Sequence, residues 1–320
     1  MAPREDSETG RFGYAHPKVV SVVDRHRPPM ARIPPYASQF KYIDLSFPFD
    51  NVLHVVLNRP PVNAVNEEYW LEYGAAFDRI AEDPTVRVVV LSSALKKAFS
   101  AGLDLSSDIL APRPQLDTAR HALRTRTHIR DFQHAIAAPA RAPQPVIAAV
   151  HGVAFGLALD ALGAVDVRFA AADAAFSIKE VDVGLAPDIG TLARLPRLVG
   201  NVSLLHELAL TGRVFGAQDA LRLGLVSRVV HGSRDDVVSA ALELACEIAR
   251  KSPVAVVGVK RFISHALDHS TEDALEYQAT WTAFALQSKD LIESAAAVRR
   301  KQTISYDDLA APMKHDKAKL

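Results

Sequence analysis

The most informative stretch of the sequence is His151-Gly152-Val153-Ala154-Phe155-Gly156-Leu157-Ala158-Leu159-Asp160. It follows the apolar run Val146–Val150, which predicts a buried strand, and it opens a segment whose spacing predicts a helix at 156–164. A helix N-terminus presents unpaired N–H groups and a positive dipole end, so this place suits a developing anion. His151 fits either an acid–base group or a packed side chain at the strand end, and we favour packing.

Two further stretches, one on either side, look too specialised for ordinary structure. Upstream lies Phe99-Ser100-Ala101-Gly102-Leu103-Asp104-Leu105, whose small residues let backbone N–H groups approach a ligand, although a plain strand-to-helix turn would look similar. Downstream lies Lys179-Glu180-Val181-Asp182-Val183-Gly184-Leu185-Ala186-Pro187-Asp188. Carboxyl groups in apolar surroundings have raised pKa values and exchange protons near neutrality. For Asp182 we favour an ordinary surface ion pair.

Strands and helices alternate around these stretches. The patterns predict strands at 43–47, 52–57, 86–91, 146–150, 165–170 and 175–178, and helices at 67–82, 118–138 and 156–164. Strand pairs that alternate with helices indicate repeated ββα units rather than a plain Rossmann sheet.

The chain becomes helical after about residue 200. Helices are predicted at 203–210, 217–223, 234–251, 254–268 and 271–299. We therefore divide the chain into a proline-rich extension at 1–44, a core at 45–250, a helical oligomerisation region at 251–310 and a polar tail at 311–320. The apolar faces of the helical region suit subunit contacts, and packing on its own core is the alternative.

Composition narrows the classes of function. Lys plus Arg and Asp plus Glu both number 37, so there is no basic excess to favour nucleic acid as a partner. The single cysteine, Cys246, excludes an intrachain disulfide, and no Cys/His spacing predicts a metal site. No apolar run is long enough to span a membrane. A mitochondrial transit peptide is an alternative interpretation of the extension, opposed by its early acidic residues.

Taken together, the motifs resemble the enoyl-CoA hydratase/isomerase (crotonase) family. The resemblance covers roughly 45–305 and includes the Asn58-Arg59-Pro60 region, FSAGLDL, PVIAAVHG, EVDVGLAPDIGTLARLPRLVG and LTGRVFGAQDALRLGLVSRVV. It implies an α/β fold, a crotonase-like spiral of ββα turns with a C-terminal helical trimerisation region. It also implies an acyl-CoA substrate, no cofactor beyond the coenzyme A of that substrate, and a homotrimer or homohexamer.

The resemblance also assigns the site. It places the two backbone N–H donors of an oxyanion hole at Leu103 and Leu157, and the substrate contacts at Leu157 and in the segment Ala101, Gly102, Leu103, Asp104 and Leu105. Where the family usually has three glycines, this chain has Gly156-Leu157-Ala158. We expect the Leu157 side chain to narrow the pocket beside the thioester and to contribute little to stability.

The acidic residues resemble those of the dienoyl-CoA isomerases of this family. That subgroup has Asp, then Glu twenty residues later, then Asp eight residues beyond, matched here by Asp160, Glu180 and Asp188. The segment Ser107–Pro112 and the stretch Asp268-His269-Ser270 are also similar to it. Enoyl-CoA hydratases, which typically have two glutamates, and Δ3-Δ2-enoyl-CoA isomerases are the alternatives within the family. A non-catalytic RNA-binding or scaffolding relative is the alternative of another class.

The C-terminal residues are Ala318, Lys319 and Leu320. This tripeptide is similar to the Ser-Lys-Leu peroxisomal address, which an import receptor binds. We therefore expect the peroxisome as the location, with the mitochondrion as the alternative.

Overall fold

A computed structural model of the protein describes residues 32–106 and 116–310. Residues 1–31 of the predicted extension, most of the segment that follows Leu105, and the tail with the predicted peroxisomal signal lie outside the described residues. Within the extension, Arg32 forms a bridge to Phe47 and Tyr36 is buried, so the residues from Arg32 on contact the core.

Ten strands form two sheets. A six-stranded sheet has the order β1-β2-β3-β5-β7-β10, and a four-stranded sheet has the order β4-β6-β8-β9. The strands are β1 Ile43–Phe49, β2 Val52–Leu57, β3 Val88–Ser93, β4 Ala98–Ser100, β5 Val146–Val150, β6 Val153–Phe155, β7 Val167–Ala171, β8 Ala175–Ser177, β9 Phe215–Gly216 and β10 Arg228–Val230. The predicted strand at 86–91 begins two residues later, because the Val86 N–H donates to Asp83 O in a turn.

The chain winds as a spiral. Each of the pairs β3/β4, β5/β6 and β7/β8 gives its first strand to the large sheet and its second to the small one. β3, β5 and β7 are parallel neighbours, and so are β4, β6 and β8. The predicted α/β spiral of ββα turns is thus confirmed, and the short strands β4 and β6 are additions to it. The carboxyl ends of β4, β6 and β8 come together at one edge.

Eleven helices are present in the described residues. They are α1 Glu67–Ala81, α2 Thr118–Ile136, α3 Ala138–Arg141, α4 Leu157–Leu162, α5 Thr191–Leu198, α6 Val202–Thr211, α7 Ala217–Leu223, α8 Arg234–Ala249, α9 Pro253–Ala266, α10 Thr271–Ala285 and α11 Lys289–Arg300. The predicted helix at 271–299 is two helices, because Ser288 caps a new one by accepting from the Asp290 N–H.

Apolar side chains bury both faces of the large sheet. On one face, α1 contributes Trp70, Phe77 and Ile80 to the main core. Asn66 fixes the start of α1, since its side chain accepts from the Tyr69 N–H. On the other face, α8 packs Val237 and Ala241 against the valines of the central strands. The sheets therefore form a rigid support for the segments that leave their carboxyl ends.

Candidate active site

Two backbone turns meet where β4 and β6 end. Gly102 has a φ of 89°, and a Cβ there would lie 2.6 Å from Phe155 O and 3.4 Å from Leu157 N. Only glycine fits so close to a neighbouring backbone at this φ. The turn at Ala101–Leu105 and the start of α4, which the sequence predicted as ligand-binding elements, therefore lie in contact.

Each turn carries one N–H group suited to bind an oxyanion. Leu157 is the first residue of α4, where the N–H has no partner within the helix. In the other turn, the Val65 N–H donates to Gly102 O at 2.8 Å and the Asp104 N–H donates to Val65 O at 2.9 Å. The Leu103 N–H therefore lies on the opposite edge of its turn, away from Val65.

The Leu157 side chain packs in the core. It is 6% exposed and joins the main core. With Trp70, Tyr73 and Phe99 it lines a small cavity of about 30 Å³ beneath α1. This burial counts against the expectation that Leu157 narrows the substrate pocket at little cost to stability, and the effect on substrate choice and on stability stays a prediction.

Glu180 lies directly beside the start of α4. A Cβ at Gly156 would be 3.4 Å from Glu180 Oε1, and Gly156 has a left-handed φ of 51°. The other oxygen, Oε2, is buried and has no hydrogen-bond partner among the described residues. Burial, followed by the charges of Asp160 and Asp188, raises the pKa of Glu180 to about 7. A carboxyl group in this state can take up and release a proton near neutrality.

Asp160 is the most enclosed of the three predicted carboxylates. It lies on α4, is 1% exposed, and its Oδ1 accepts from the Thr191 N–H at 2.6 Å. Burial raises the pKa of Asp160 to about 6; the Thr191 N–H opposes that shift and the charge of Asp188 adds to it. The predicted repulsion between Asp160 and Glu180 is present, since each acidic neighbour raises the proton affinity of Glu180.

Asp188 lies in the loop between the 3₁₀ turn Glu180–Val183 and α5. Its side chain is exposed, and its backbone oxygen accepts from Gln133 Nε2 at 2.7 Å. It lines a mostly apolar cavity of about 910 Å³ beside α5 and α9, together with Gln133, Gly190 and Arg194. The three carboxylates thus form one charge cluster, in which Asp188 is the member open to solvent.

Of the remaining side chains in the Ala101–Leu105 turn, that of Asp104 supports the turn and that of Leu105 lies at the protein surface. Asp104 forms an ion pair with Arg59 at 2.9 Å, and Arg59 also donates to Ala64 O at 2.6 Å. Leu105 is 59% exposed. Asp104 therefore holds the turn in place through its side chain.

The two residues that we set aside as structural behave as expected. His151 is fully buried, and its Nε2 lies 2.7 Å from Leu95 O; burial lowers its pKa. Asp182 forms an exposed ion pair with Lys179. Neither side chain contacts the carboxylate cluster.

Sequence reasoning missed several residues that support the site. The supporting residues are three. Thr191 bonds the Asp160 carboxylate, Gln133 bonds the backbone of Asp188, and Arg59 pairs with Asp104 in the Ala101–Leu105 turn. They lie 31, 55 and 45 positions from the residues that they bond, so spacing gave no signal for the contacts.

The described residues contain no group of His, Cys, Asp and Glu that could hold a metal ion. In the same part of the chain, no helix is long and apolar enough to cross a membrane.

Comparison with known proteins gives consistent matches. The family model described as Enoyl-CoA hydratase/isomerase matches residues 49–308. A rat (Rattus norvegicus) protein named Delta(3,5)-Delta(2,4)-dienoyl-CoA isomerase, mitochondrial, is 44% identical over 277 residues, which cover 85% of this chain and 84% of that protein. An Arabidopsis thaliana protein named Delta(3,5)-Delta(2,4)-dienoyl-CoA isomerase, peroxisomal, is 39% identical over 79% of this chain and 91% of its own length.

Solved structures agree with these matches. The crystal structure of an enoyl-CoA hydratase from Bacillus anthracis superposes with a TM-score of 0.73 at 31% identity, and covers 83% of this chain and 99% of that one.

Proposed function

The chain belongs to the enoyl-CoA hydratase/isomerase family, and on that premise we propose that it isomerises 3,5-dienoyl-CoA to 2,4-dienoyl-CoA. The observation that carries this proposal is the carboxylate cluster. Glu180, with its pKa raised to about 7, adjoins the start of α4, and Asp160 and Asp188 act on it electrostatically. Relatives that cover most of the chain carry the name of this activity.

The reaction requires two proton transfers at distant carbons. A 3,5-dienoyl thioester loses a proton at carbon 2, forms an extended dienolate, and gains a proton at carbon 6. One carboxyl group cannot easily reach both carbons, so two groups share the work. We assign Glu180 to carbon 2, because it adjoins the thioester-binding N–H donors. Asp188, which lines the large cavity, is assigned to carbon 6.

The backbone donors stabilise the intermediate. Negative charge on the thioester oxygen is shared by the N–H groups of Leu103 and Leu157. Loss of one such donor costs about 3–4 kcal/mol of transition-state stabilisation in comparable sites. In this proposal the enzyme needs no cofactor, because coenzyme A is part of the substrate.

A paired substrate assay tests the proposal. Purified protein is incubated separately with a 3,5-dienoyl-CoA, following the conjugated-diene absorbance, and with a 2-enoyl-CoA, following water addition. We expect isomerisation in the wild type and its loss by about 100-fold or more in Glu180→Gln and in Asp188→Asn. Asp182→Asn is the matched control and should keep normal turnover.

The outcomes discriminate between the alternatives. Water addition without isomerisation would identify a hydratase. Near-normal isomerisation by Asp188→Asn would overturn the assignment of Asp188 to carbon 6.

The active form in this proposal is a homotrimer or homohexamer. Support comes from the C-terminal helices, where several large apolar side chains are exposed in the single chain: Leu275, Phe284, Leu286, Leu291, Ile292 and Val298. Exposed apolar surface of this extent is typical of protein contacts. A peroxisomal location, reached through an import receptor that binds Ala318, Lys319 and Leu320, is part of the same proposal.

A further inference from the structure

One charged side chain beside the carboxylate cluster lacks a direct partner. Arg194, on α5, is partly buried, and its guanidinium forms no hydrogen bond or ion pair with any residue of 32–106 or 116–310. Arg197, one turn later on the same helix, is paired with Asp268 at 3.1 Å. Removing a cation from water without pairing it costs free energy. The position of Arg194 therefore needs a reason other than a local ion pair.

Gly190 shows where the guanidinium lies. A Cβ at this position would be 2.0 Å from Arg194 Nη1 and 3.8 Å from Asp160 Oδ1. The guanidinium and the Asp160 carboxylate therefore both lie beside the α carbon of Gly190, and a larger residue there would displace the guanidinium. The Arg194 stem also lies near the end of α4, because its Cβ is 3.6 Å from the place that a Cβ at Gly163 would occupy.

Asp160 is the carboxylate that this cation can influence most directly. Asp160 and Asp268 attract the guanidinium and Arg141 repels it. Arg194 favours the charged form of Asp160, in opposition to burial and to the charge of Asp188. Apart from Arg194, the groups that face Asp160 are thus acidic neighbours and the Thr191 N–H, which donates to it.

We propose that Arg194 is a positioning residue that keeps the Asp160 carboxylate ionised during turnover, so that its negative charge stays beside Glu180. An ionised neighbour makes Glu180 a stronger base, and Glu180 is the group that must take the proton from carbon 2. This catalytic consequence is the one part of the inference that rests on the proposed function. The effect of Arg194 on Asp160 itself does not depend on the substrate.

The test compares charge-removing and charge-keeping variants of Arg194. The pH dependence of kcat/KM for 3,5-dienoyl-CoA is measured for the wild type, Arg194→Gln and Arg194→Lys, with Arg197→Gln as the matched control on the same helix. Loss of a cation near a carboxylate raises its pKa, so Asp160 takes up its proton at a higher pH. The acidic limb should move upward by about 0.5 to 2 pH units in Arg194→Gln. It should return most of the way in Arg194→Lys and stay in place in Arg197→Gln.

A second measurement needs no activity. Carboxyl-¹³C NMR of protein labelled at aspartate, with the Asp160 signal assigned from Asp160→Asn, should show the same upward shift in Arg194→Gln. If Arg194→Gln does not fold, Arg194→Met replaces it, because methionine keeps an apolar stem and lacks the charge.

The outcomes separate this inference from the proposed function. An unchanged Asp160 titration in a folded charge-free variant overturns the inference, and so does an equal shift in Arg197→Gln. A wild type that does not isomerise 3,5-dienoyl-CoA overturns the proposed function, while the carboxyl titration still decides the role of Arg194.

Discussion

Replacement of Glu180 by glutamine should make the protein more stable and less active at the same time. The carboxyl group is partly buried, its Oε2 has no hydrogen-bond partner among the described residues, and Asp160 and Asp188 repel its charged form. All three features penalise the ionised carboxylate in the folded state. Glutamine has the same shape and no charge, so it removes this penalty.

The size of the effect follows from the pKa of Glu180. Folding raises that pKa from 4.5 to about 7. A difference of one pKa unit corresponds to about 1.4 kcal/mol, which sets an upper limit of about 3.5 kcal/mol for the penalty. Because the amide brings N–H donors into a site with few partners, we expect a gain of about 1–3 kcal/mol.

The direction of the Glu180 pKa shift determines how the stability gain of Glu180→Gln depends on pH. Because the folded-state pKa of Glu180 is raised, the neutral carboxyl causes no penalty below about pH 4.5. The penalty grows as the pH rises from about 4.5 to about 7, and it is complete above the folded-state pKa. Glu180→Gln should therefore differ little from the wild type near pH 5 and should be clearly more stable at pH 8.

Urea unfolding at about pH 5 and pH 8, at one fixed protein concentration, measures the difference. The matched control is Asp182→Asn, which removes a carboxylate two residues away that is engaged in an exposed ion pair. This control should lose at most about 1 kcal/mol and gain nothing at pH 8. If Glu180→Gln is less stable than the wild type at pH 8, or gains equally at both pH values, Glu180 does not carry a penalised charge.

Three further predictions concern other parts of the chain. Leu157→Ala should destabilise the protein by about 2–5 kcal/mol in urea unfolding, because the side chain is buried against Trp70; a loss under 1 kcal/mol would mean that it does not pack in the core. A fluorescent protein that carries the last ten residues should form puncta on a peroxisomal marker, and diffuse fluorescence that deletion of Ala318–Leu320 leaves unchanged would contradict this. Light scattering at micromolar concentration should give the mass of a trimer or hexamer, and a stable monomer would refute the interface on α10 and α11.

The sequence by itself determined the class of fold and the set of chemical groups. Strand pairs followed by helices predicted the ββα spiral, because alternation of apolar residues is a local property that each segment carries alone. The spacing of Asp160, Glu180 and Asp188, with the segments around it, resembled one subgroup of a family, and the turns beside these acids contain glycines at 102 and 156. Both glycines occupy left-handed backbone positions that few other residues adopt, so the pattern itself carried their geometry.

Only the tertiary structure decided how those groups act. Leu157 belongs to the main core and lines a small cavity with Trp70 of α1, and no local pattern states which side of a short helix the core will occupy. Thr191 and Arg194 lie near Asp160 across 31 and 34 positions of sequence, because the fold brings α5 beside α4. The raised pKa values of Asp160 and Glu180 depend on burial and on charges brought together by the ends of β6 and β8. Burial and distance are properties of the folded chain. The sequence therefore identified the acidic residues, whereas only the fold determined their proton affinities.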